Sequence, residues 1–446
     1  MTLTGCLCVL ACCAPQVRTP PNVVLISMDT TRSDHCSVYG YGLNTTPNLQ
    51  RLAEEGALFN LAYSPTSTTG PTHASLFTSL YPMEHGVIRN GLPLDDRFTT
   101  LAEHFRGTGY QTAAVVSSFA LDDKFGYGQG FDFYDDEFDR DSSKIWTEEW
   151  VGHEVEQGFD RPGNEVTRRA LQWLDRDRDR ERGFFLFLHY FDAHDPYFPP
   201  EPFLSRFEPQ DRRASALDVQ VGRYDGGIAF VDSQIGVFLD GLKKRRLSEN
   251  TIVIVVGDHG EGLMQHGLMA HGENLYEELV RVPFLMRWPG HIPEGSIFES
   301  PVELLDVAPT LFELLGMDVR TPPLKGRTLA RALRGEEIYD AADRPVFLFR
   351  RHYEKGTYPG IEGQMYAVRS GDWKYIDGPD EKRRELFNLA DDPLERVNLF
   401  KSRRDVAADL QERLDAWREV NTVEPTEHAA ISEVDRQALE ALGYVE

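Results

Sequence analysis

The feature that most constrains the fold is a series of apolar runs without polar alternation. The first is Asn22–Met28, in which only Asn22 and Ser27 are polar. A strand covered on both faces has this pattern, whereas a half-exposed strand alternates. Similar runs follow at residues 112–117, 184–191, 251–256 and 282–288, and helical stretches lie between them at 101–105, 165–174, 228–242 and 304–315. Strands alternating with helices predict a large, mostly parallel sheet flanked by helices, an α/β fold.

A boundary is predicted near residue 335. The regular pattern loosens between residues 320 and 337, where two prolines and two glycines lie close together. Short apolar runs then follow at 346–349 and 365–368, with a helix predicted at 406–417. We therefore predict a main domain of residues 22–335 and a smaller antiparallel α+β subdomain of residues 336–446. The length of 446 residues suits this division.

Residues 1–21 are predicted to form a leader and a linker. Four of the five cysteines lie here, and the apolar segment 3–14 is too short to span a bilayer. Val9-Leu10-Ala11-Cys12 resembles a bacterial lipoprotein processing site. This predicts export to the periplasm or cell envelope, with a lipid anchor at Cys12. A misplaced start codon or an N-terminal tail without a function is the alternative, which leaves a cytoplasmic location open.

The charge of the chain restricts its partners. Its formal net charge of −25 disfavours nucleic acid and anionic membrane surfaces, because a diffuse negative field repels polyphosphates and acidic headgroups. An anionic substrate would need local positive charge. A metal ion, an arginine or a helix N-terminus could supply it.

Three predicted strands end in residues that can bind metal ions. Asp29 follows the first run, Asp192 and His194 follow the run at 184–191, and Asp258-His259 follows the run at 251–256. The carboxyl ends of parallel strands meet at one edge of a sheet, where ligand sites gather. A single acid or histidine at a strand end is usually a helix cap or a surface residue. Three such ends from distant parts of the chain together indicate a site.

A hydroxyl cluster provides a fourth element. Ser67-Thr68-Thr69 precedes Gly70-Pro71, and proline suits the first turn of a helix. Thr69 would then lie at a helix N-terminus, where free amides and the helix dipole favour an alkoxide and can hold a tetrahedral oxyanion. The alternative is that Thr68 or Thr69 only caps the helix.

These elements belong to a longer set of motifs. In chain order they are residues 22–32 (NVVLISMDTTR), 46–49 (TPNL), 74–82 (ASLFTSLYP), 257–261 (GDHGE), 275–283 (LYEELVRVP) and 385–389 (ELFNL). The set resembles the sulfatase family of the alkaline phosphatase-like superfamily over about residues 21 to 400. The resemblance implies the α/β fold and the C-terminal subdomain given above. It also implies a metal-dependent hydrolase of sulfate or phosphate esters.

The sequence departs from the family at the nucleophile. Sulfatases carry Cys-x-Pro-x-Arg or Ser-x-Pro-x-Arg there and oxidise the Cys or Ser to formylglycine, whereas residues 69–73 read Thr-Gly-Pro-Thr-His. A threonine cannot supply that aldehyde. Thr30 also stands where a second aspartate commonly follows the position of Asp29. Nucleotide pyrophosphatase-like phosphodiesterases and phosphoethanolamine transferases use threonine nucleophiles, so we predict attack by Thr69 on phosphorus.

The resemblance implies roles for the remaining site residues. Asp29, Asp258 and His259 would bind the metal, with Thr69 completing the shell. Calcium, magnesium or manganese fits oxygen ligands, and added histidines move the preference toward manganese or zinc. His194 and His271 would bind the anion and protonate the leaving group, or would hold a second ion with Asp192. His73 stands in place of the family's arginine and would act in catalysis and substrate binding, and Arg32 would contact the substrate anion or a neighbouring carboxylate. The weaker candidates are His189, His266 and His85.

Two other functions stay open at this point. One is transfer of a phosphoryl-linked group to a cell-envelope acceptor. The other is a catalytically inactive relative that binds sulfated or phosphorylated glycans, which the absence of a formylglycine residue would permit. The substrate itself, a small molecule or a glycan ester, is not encoded in these motifs. A metal-content assay would separate the inactive binder from the enzymes.

Overall fold

The computed structural model describes residues 20–138, 147–150, 153–156, 160–319 and 323–421. Cys12, the predicted site of a lipid anchor, lies outside these ranges. Within the described part of the chain, no helix combines the length and the apolar character needed to cross a membrane.

An eight-stranded sheet forms the centre of the molecule. Its strands in chain order are β1 (Asn22–Met28), β2 (Ala57–Phe59), β3 (Gln111–Val115), β4 (Phe133–Asp135), β5 (Phe184–Tyr190), β6 (Thr251–Gly257), β7 (Phe284–Arg287) and β8 (Ser296–Phe298). Across the sheet the order is β8-β2-β7-β6-β1-β5-β3-β4. The five strands from β6 to β4 run parallel, whereas β7 is antiparallel to both of its neighbours. The predicted mostly parallel sheet is confirmed.

The central strand shows why its sequence does not alternate. β1 pairs with β5 on one side and β6 on the other. Val23 and Leu25 point into one apolar core, and Val24 and Ile26 point into the core on the opposite face. Both faces exclude water, so every position favours an apolar side chain.

Helices cover both faces of the sheet. They are α1 (Pro47–Glu54), α2 (Thr69–Thr78), α3 (Pro82–His85), α4 (Leu101–Gly107), α5 (Gly163–Arg176), α6 (Phe203–Phe207), α7 (Ala216–Lys244), α8 (Glu277–Val280), α9 (Val307–Leu315), α10 (Ala330–Leu333) and α11 (Arg404–Val420). Residues of α2, α4 and α9 pack in one core, and those of α1, α5 and α7 pack in the other.

Helix α7 begins well before the helix predicted at residues 228–242. Glycines in its first half interrupt the apolar pattern and have low helix propensity, which hid this part of the helix. Packing explains one of them, because a Cβ at Gly227 would lie 2.4 Å from the carbonyl oxygen of Asp192. The helix backbone must approach the end of β5 closely, and only glycine permits this.

Smaller strands complete the description. Ala62–Tyr63 lies between Arg281–Val282 and Val302–Glu303 in a three-stranded sheet. Two further pairs join Gly262–Leu263 with Met269–Ala270, and Thr147–Trp150 with His153–Glu156.

The C-terminal region is an antiparallel sheet followed by α11. Its strands are β9 (Val346–Tyr358), β10 (Ile361–Ser370), β11 (Trp373–Gly378) and β12 (Arg383–Asn388). One face packs with α11 against Tyr81 and Met83, and the other packs against Tyr63, Leu275 and Leu279. The antiparallel arrangement is confirmed, whereas the boundary at residue 335 stays a prediction.

A buried ion cluster adds to this contact. Lys374 Nζ lies 3.0 Å from Glu277 Oε1 and 3.0 Å from Glu395 Oε1. Glu395 also accepts a hydrogen bond from the Glu277 amide. Lys374 is fully buried, so loss of either region would leave an uncompensated charge in the other.

We predict that a fragment ending at Gly335 will be insoluble. Truncation exposes the apolar surface that β9 to β12 cover and removes Lys374 from Glu277. Exposed apolar patches of this kind promote aggregation. Expression of the fragment followed by fractionation of the lysate measures the outcome. A soluble fragment with ester hydrolase activity would contradict the proposed dependence.

Candidate active site

Two aspartates lie side by side at the carboxyl edge of the sheet. Asp29 follows β1 and Asp258 follows β6, which is its neighbour in register. Both side chains are completely buried. The Oδ1 atom of Asp258 accepts hydrogen bonds from the amides of Thr30, at 3.0 Å, and His259, at 2.7 Å. The other oxygen of Asp258 and both oxygens of Asp29 have no hydrogen-bond partner among the described residues.

Thr30 supports this pair through its backbone. Its φ of 48° lies in the left-handed region, which is unfavourable for a β-branched residue. This conformation directs the Thr30 amide toward Asp258, and the Tyr224 hydroxyl donates to the Thr30 carbonyl at 2.6 Å. Thr30 therefore orients the Asp258 carboxylate through its backbone.

Thr69 and His259 face the two aspartates. Thr69 Oγ1 lies 3.2 Å from His259 Nε2. His259 Nδ1 donates to the Gly260 carbonyl at 2.9 Å, which leaves Nε2 as an acceptor. The same Nε2 is 3.4 Å from Asp258 Oδ2 and 3.8 Å from Asp29 Oδ1. A hydroxyl, an imidazole and two carboxylates thus surround one point.

The helix that begins at Thr69 has fewer free amides than predicted. Thr69 is the first residue of α2, and Thr68 occupies the capping position without a side-chain cap hydrogen bond. The Gly70 amide donates to Asn90 Oδ1 at 2.6 Å, and Pro71 has no amide proton. The helix dipole remains, but an oxyanion would find little backbone support here.

These donor atoms fit a divalent cation. Carboxylate oxygens of Asp29 and Asp258 and a nitrogen of His259 all lie within 4.8 Å of one another. Burial raises the pKa of Asp29 to about 7, and burial together with the charge of Asp29 raises the pKa of Asp258 to about 8. Buried, unpartnered carboxylates are unfavourable without a counter-charge. A metal ion bound to the three side chains would supply that charge.

His194 and His271 lie beside this cluster. The ring centroid of His271 is 4.4 Å from that of His259 and 5.0 Å from that of His194. His271 Nδ1 is 3.1 Å from Glu261 Oε1, and His194 Nδ1 donates to the Asp195 carbonyl at 2.7 Å. Burial lowers the pKa of both histidines, that of His194 to about 3. Both rings are therefore neutral near pH 7, and a bound anion would raise their pKa values.

His73 lies beside Asp258, with its Nδ1 3.9 Å from Asp258 Oδ2, but neighbouring groups engage its ring. Its Nδ1 donates to the Thr69 carbonyl at 2.7 Å, and its Nε2 lies 2.9 Å from Ser27 Oγ. The side chain is fully buried, and burial lowers its pKa to about 3. Both nitrogens are engaged by the protein, so the ring offers a substrate anion neither charge nor a free donor.

Of the two interactions predicted for Arg32, the structure shows the one with a neighbouring carboxylate. Its guanidinium donates to both oxygens of Asp34, at 2.8 Å and 2.7 Å. A further nitrogen donates to the Glu261 carbonyl and to Gln265 Oε1, each at 3.0 Å. The side chain is almost completely buried. Arg32 therefore pairs with a carboxylate and holds the segment that carries Glu261.

The remaining candidates divide into two groups. His85 contacts Ser75 and His266 contacts Glu278, so neither lies among the clustered donors. Asp192 accepts from the Gly163 amide at the start of α5, and neither group of clustered donors found among the described residues includes it. His189 Nε2, in contrast, lies 3.0 Å from Asp29 Oδ2.

Sequence reasoning assigned no role to Glu261. It is fully buried and follows His259 by two residues. Its Oε1 contacts His271, and its other oxygen has no hydrogen-bond partner among the described residues. Its position in the GDHGE motif was the available signal.

The fold and the clustered donors define an enzyme of the alkaline phosphatase-like superfamily. A family model described as Sulfatase matches residues 21–317. A second model, described as N-sulphoglucosamine sulphohydrolase, C-terminal, matches residues 265–420. The chain belongs to the sulfatase family.

Named relatives cover most of the chain. An arylsulfatase from Clostridium perfringens is 25% identical over 467 aligned residues, which span 90% of this chain and 93% of the relative. An N-acetylgalactosamine-6-sulfatase from Canis lupus familiaris is 27% identical over 386 residues, 76% of this chain and 69% of the relative. These relatives support a sulfuric ester hydrolase.

Solved structures extend the comparison. The phosphonate monoester hydrolase of Agrobacterium radiobacter has a TM-score of 0.75 and 25% identity, with 93% of this chain and 98% of that chain covered. A protein bound to its substrate D-glucosamine-2-N,6-O-disulfate has a TM-score of 0.76 and 21% identity, with coverage of 90% and 98%. The second likeness concerns the fold alone.

We predict that Asp29→Asn and Asp258→Asn will each abolish activity and lower bound metal. Each change removes a charge and a ligand from a hard-cation site while preserving shape. Metal analysis of the purified variants measures the effect. Asp232→Asn is a matched control, because Asp232 is also buried but accepts from the amides of Asn48 and Leu49. Full metal occupancy in both site variants would show that the site is misplaced.

Metal binding by the metal-free protein should strengthen as the pH rises from 6 to 8. The pKa values of Asp29, about 7, and Asp258, about 8, mean that both carboxyls hold protons at pH 6. A cation must then displace them, so affinity should rise by up to about tenfold per pH unit for each proton released. Calorimetric titration with Mn²⁺ in buffers of different ionisation enthalpy measures this proton release. Affinity independent of pH in this range would exclude it.

Proposed function

We propose that the protein hydrolyses phosphate esters in preference to sulfate esters, with Thr69 as the nucleophile. The observation that carries this proposal is the position of Thr69 Oγ1, 3.2 Å from His259 Nε2 at the start of α2. The hydroxyl is completely buried beside two carboxylates that can bind a cation. Surface helix caps do not have such surroundings.

Asp29, Asp258 and His259 would hold a divalent cation, which lowers the pKa of a hydroxyl and neutralises charge on the ester oxygens. Calcium, magnesium and manganese are the candidates, and zinc is the alternative. Thr69 Oγ1 then forms a bond to phosphorus while the bond from phosphorus to the leaving oxygen breaks. Its proton passes to solvent, because the lone pair of His259 Nε2, which lies 3.2 Å from the hydroxyl, would be engaged by the cation.

His194 and His271 would complete the reaction. A bound anionic ester raises the pKa of these buried imidazoles, so that one of them becomes protonated and can donate to the leaving alcohol. The product of this step is a phosphothreonine at residue 69. Attack by water on phosphorus then restores the Thr69 hydroxyl and releases phosphate.

The threonine also explains the proposed preference. The hydrated aldehyde that formylglycine provides in the sulfatases needs an oxidisable Cys or Ser, and residue 69 is neither. An activated threonine hydroxyl is a competent nucleophile toward phosphorus. The likeness to a phosphonate monoester hydrolase is consistent with phosphorus chemistry in this fold.

The proposed substrate is a glycan ester or a small-molecule ester, and the proposed location is outside the cytoplasm. Several relatives are named for sulfated sugars, among them an N-acetylglucosamine-6-O-sulfatase from Bacteroides thetaiotaomicron. A glycan ester or a small-molecule ester would suit a family that acts on such groups. Export, with a lipid anchor at Cys12, would place the enzyme where extracellular esters are available.

We predict that Thr69→Ala will lose nearly all turnover. Removal of a covalent nucleophile typically costs about 10⁴-fold or more in rate. Thr68→Ala is the matched control, because Thr68 is the adjacent hydroxyl and makes no side-chain cap hydrogen bond. Its effect should be much smaller. Single-turnover kinetics with a phosphate monoester, followed by mass analysis for phosphothreonine, measure both the rate and the intermediate.

A substrate panel tests the preference itself. Aryl sulfate, phosphate monoester, phosphate diester and phosphonate esters should be compared with each divalent metal. We expect the highest kcat/KM for a phosphorus ester. Faster turnover of aryl sulfates, or an active Thr69→Ala variant, would show that water or another hydroxyl performs the attack.

A further inference from the structure

His189 is a buried histidine that the proposed reaction does not use. It lies near the end of β5, adjacent to β1, and its side chain is completely buried. Its Nε2 is 3.0 Å from Asp29 Oδ2, yet neither atom has a hydrogen-bond partner among the described residues. A well-directed N–H would form a hydrogen bond at this distance. The two atoms are therefore close without pointing at each other.

Ser117 indicates which ring nitrogen carries the proton. The Ser117 hydroxyl donates to the His189 carbonyl at 2.8 Å. Its oxygen is then available to accept from His189 Nδ1, which lies 3.3 Å away. With the proton on Nδ1, Nε2 presents a lone pair to the interior. Metal-binding histidines are commonly oriented by a second hydrogen bond of this kind.

His189 is one of the clustered donor residues. His189, His73 and Asp258 form one group whose donor atoms lie within 4.8 Å of one another, and Asp258 also belongs to the group of Asp29 and His259. His73 has both nitrogens engaged, by Thr69 and by Ser27. Within the first group, His189 therefore supplies the available nitrogen.

We propose that His189 is an additional ligand of the metal centre, which makes the centre select manganese or zinc over calcium. The 3.0 Å between His189 Nε2 and Asp29 Oδ2 is short enough for one ion to contact both atoms. Imidazole nitrogens favour transition metals, whereas calcium prefers an all-oxygen shell. This inference shares one premise with the proposed function, namely that a metal ion binds at this site.

The test compares metal affinities rather than turnover. Metal-free wild type and His189→Gln are titrated with Mn²⁺, Zn²⁺ and Ca²⁺. We expect His189→Gln to weaken Mn²⁺ and Zn²⁺ binding by at least about tenfold, with a smaller effect on Ca²⁺. His85→Gln is the matched control, because His85 is equally buried and contacts Ser75 and the Val87 amide. It should bind all three ions like the wild type.

Spectroscopy counts the nitrogens directly. Electron spin echo measurements on the Mn²⁺-loaded protein should detect two coordinated imidazoles in the wild type and one in His189→Gln. Ser117→Ala provides a second variant that keeps the imidazole but removes its orienting contact, and it should weaken Mn²⁺ binding by a smaller factor. This variant decides the matter if His189→Gln fails to fold.

The outcomes separate this inference from the proposed function. A wild-type protein that binds none of the three ions overturns both. Wild-type binding with unchanged Mn²⁺ affinity in folded His189→Gln, and the same number of coordinated nitrogens, overturns the role of His189 alone. A wild type that binds Ca²⁺ more tightly than Mn²⁺ and Zn²⁺ overturns the proposed selectivity.

Discussion

The register of β1 with β6 brings the carboxyls of Asp29 and Asp258 together in the interior of the protein, where both are fully buried. Two such groups cannot both ionise there without a counter-charge, because low polarity strengthens their repulsion. The surroundings reduce this cost in part. Two amides hold Asp258 Oδ1, one of them at the price of a left-handed Thr30. The oxygens that remain unpartnered make the pair a candidate cation site.

The C-terminal sheet stabilises one side of this site. His266 lies in the segment between Glu261 and His271, and its Nδ1 is 2.7 Å from Glu278 while its Nε2 donates to the Glu395 carbonyl at 3.2 Å. Its ring stacks on Tyr276 at 3.5 Å. Glu395 in turn pairs with Lys374 of β11. Displacement of the sheet would therefore release the segment that holds His271 beside His259.

Sequence alone predicted those parts of the site that strand ends determine. Asp29 and Asp258 follow apolar strands, and parallel strands bring such positions to one edge. The position of His73 could not be predicted in this way, since it depends on how α2 is rotated about its axis. The contact of Arg32 with the Glu261 carbonyl joins segments 229 residues apart, and no local pattern encodes it. The early start of α7 could not be predicted for another reason. Its first half contains glycines, which disfavour a helix in the sequence but are required by the close approach of a distant backbone.

The departures from the sulfatase pattern compensate each other electrostatically. Thr30 replaces an aspartate and so removes one negative charge from the centre. His73 replaces an arginine, and since burial keeps its imidazole neutral, one positive charge is removed as well. Together they leave the net charge of the site unchanged, and in the proposed function the charge that binds a substrate anion would come mainly from the metal.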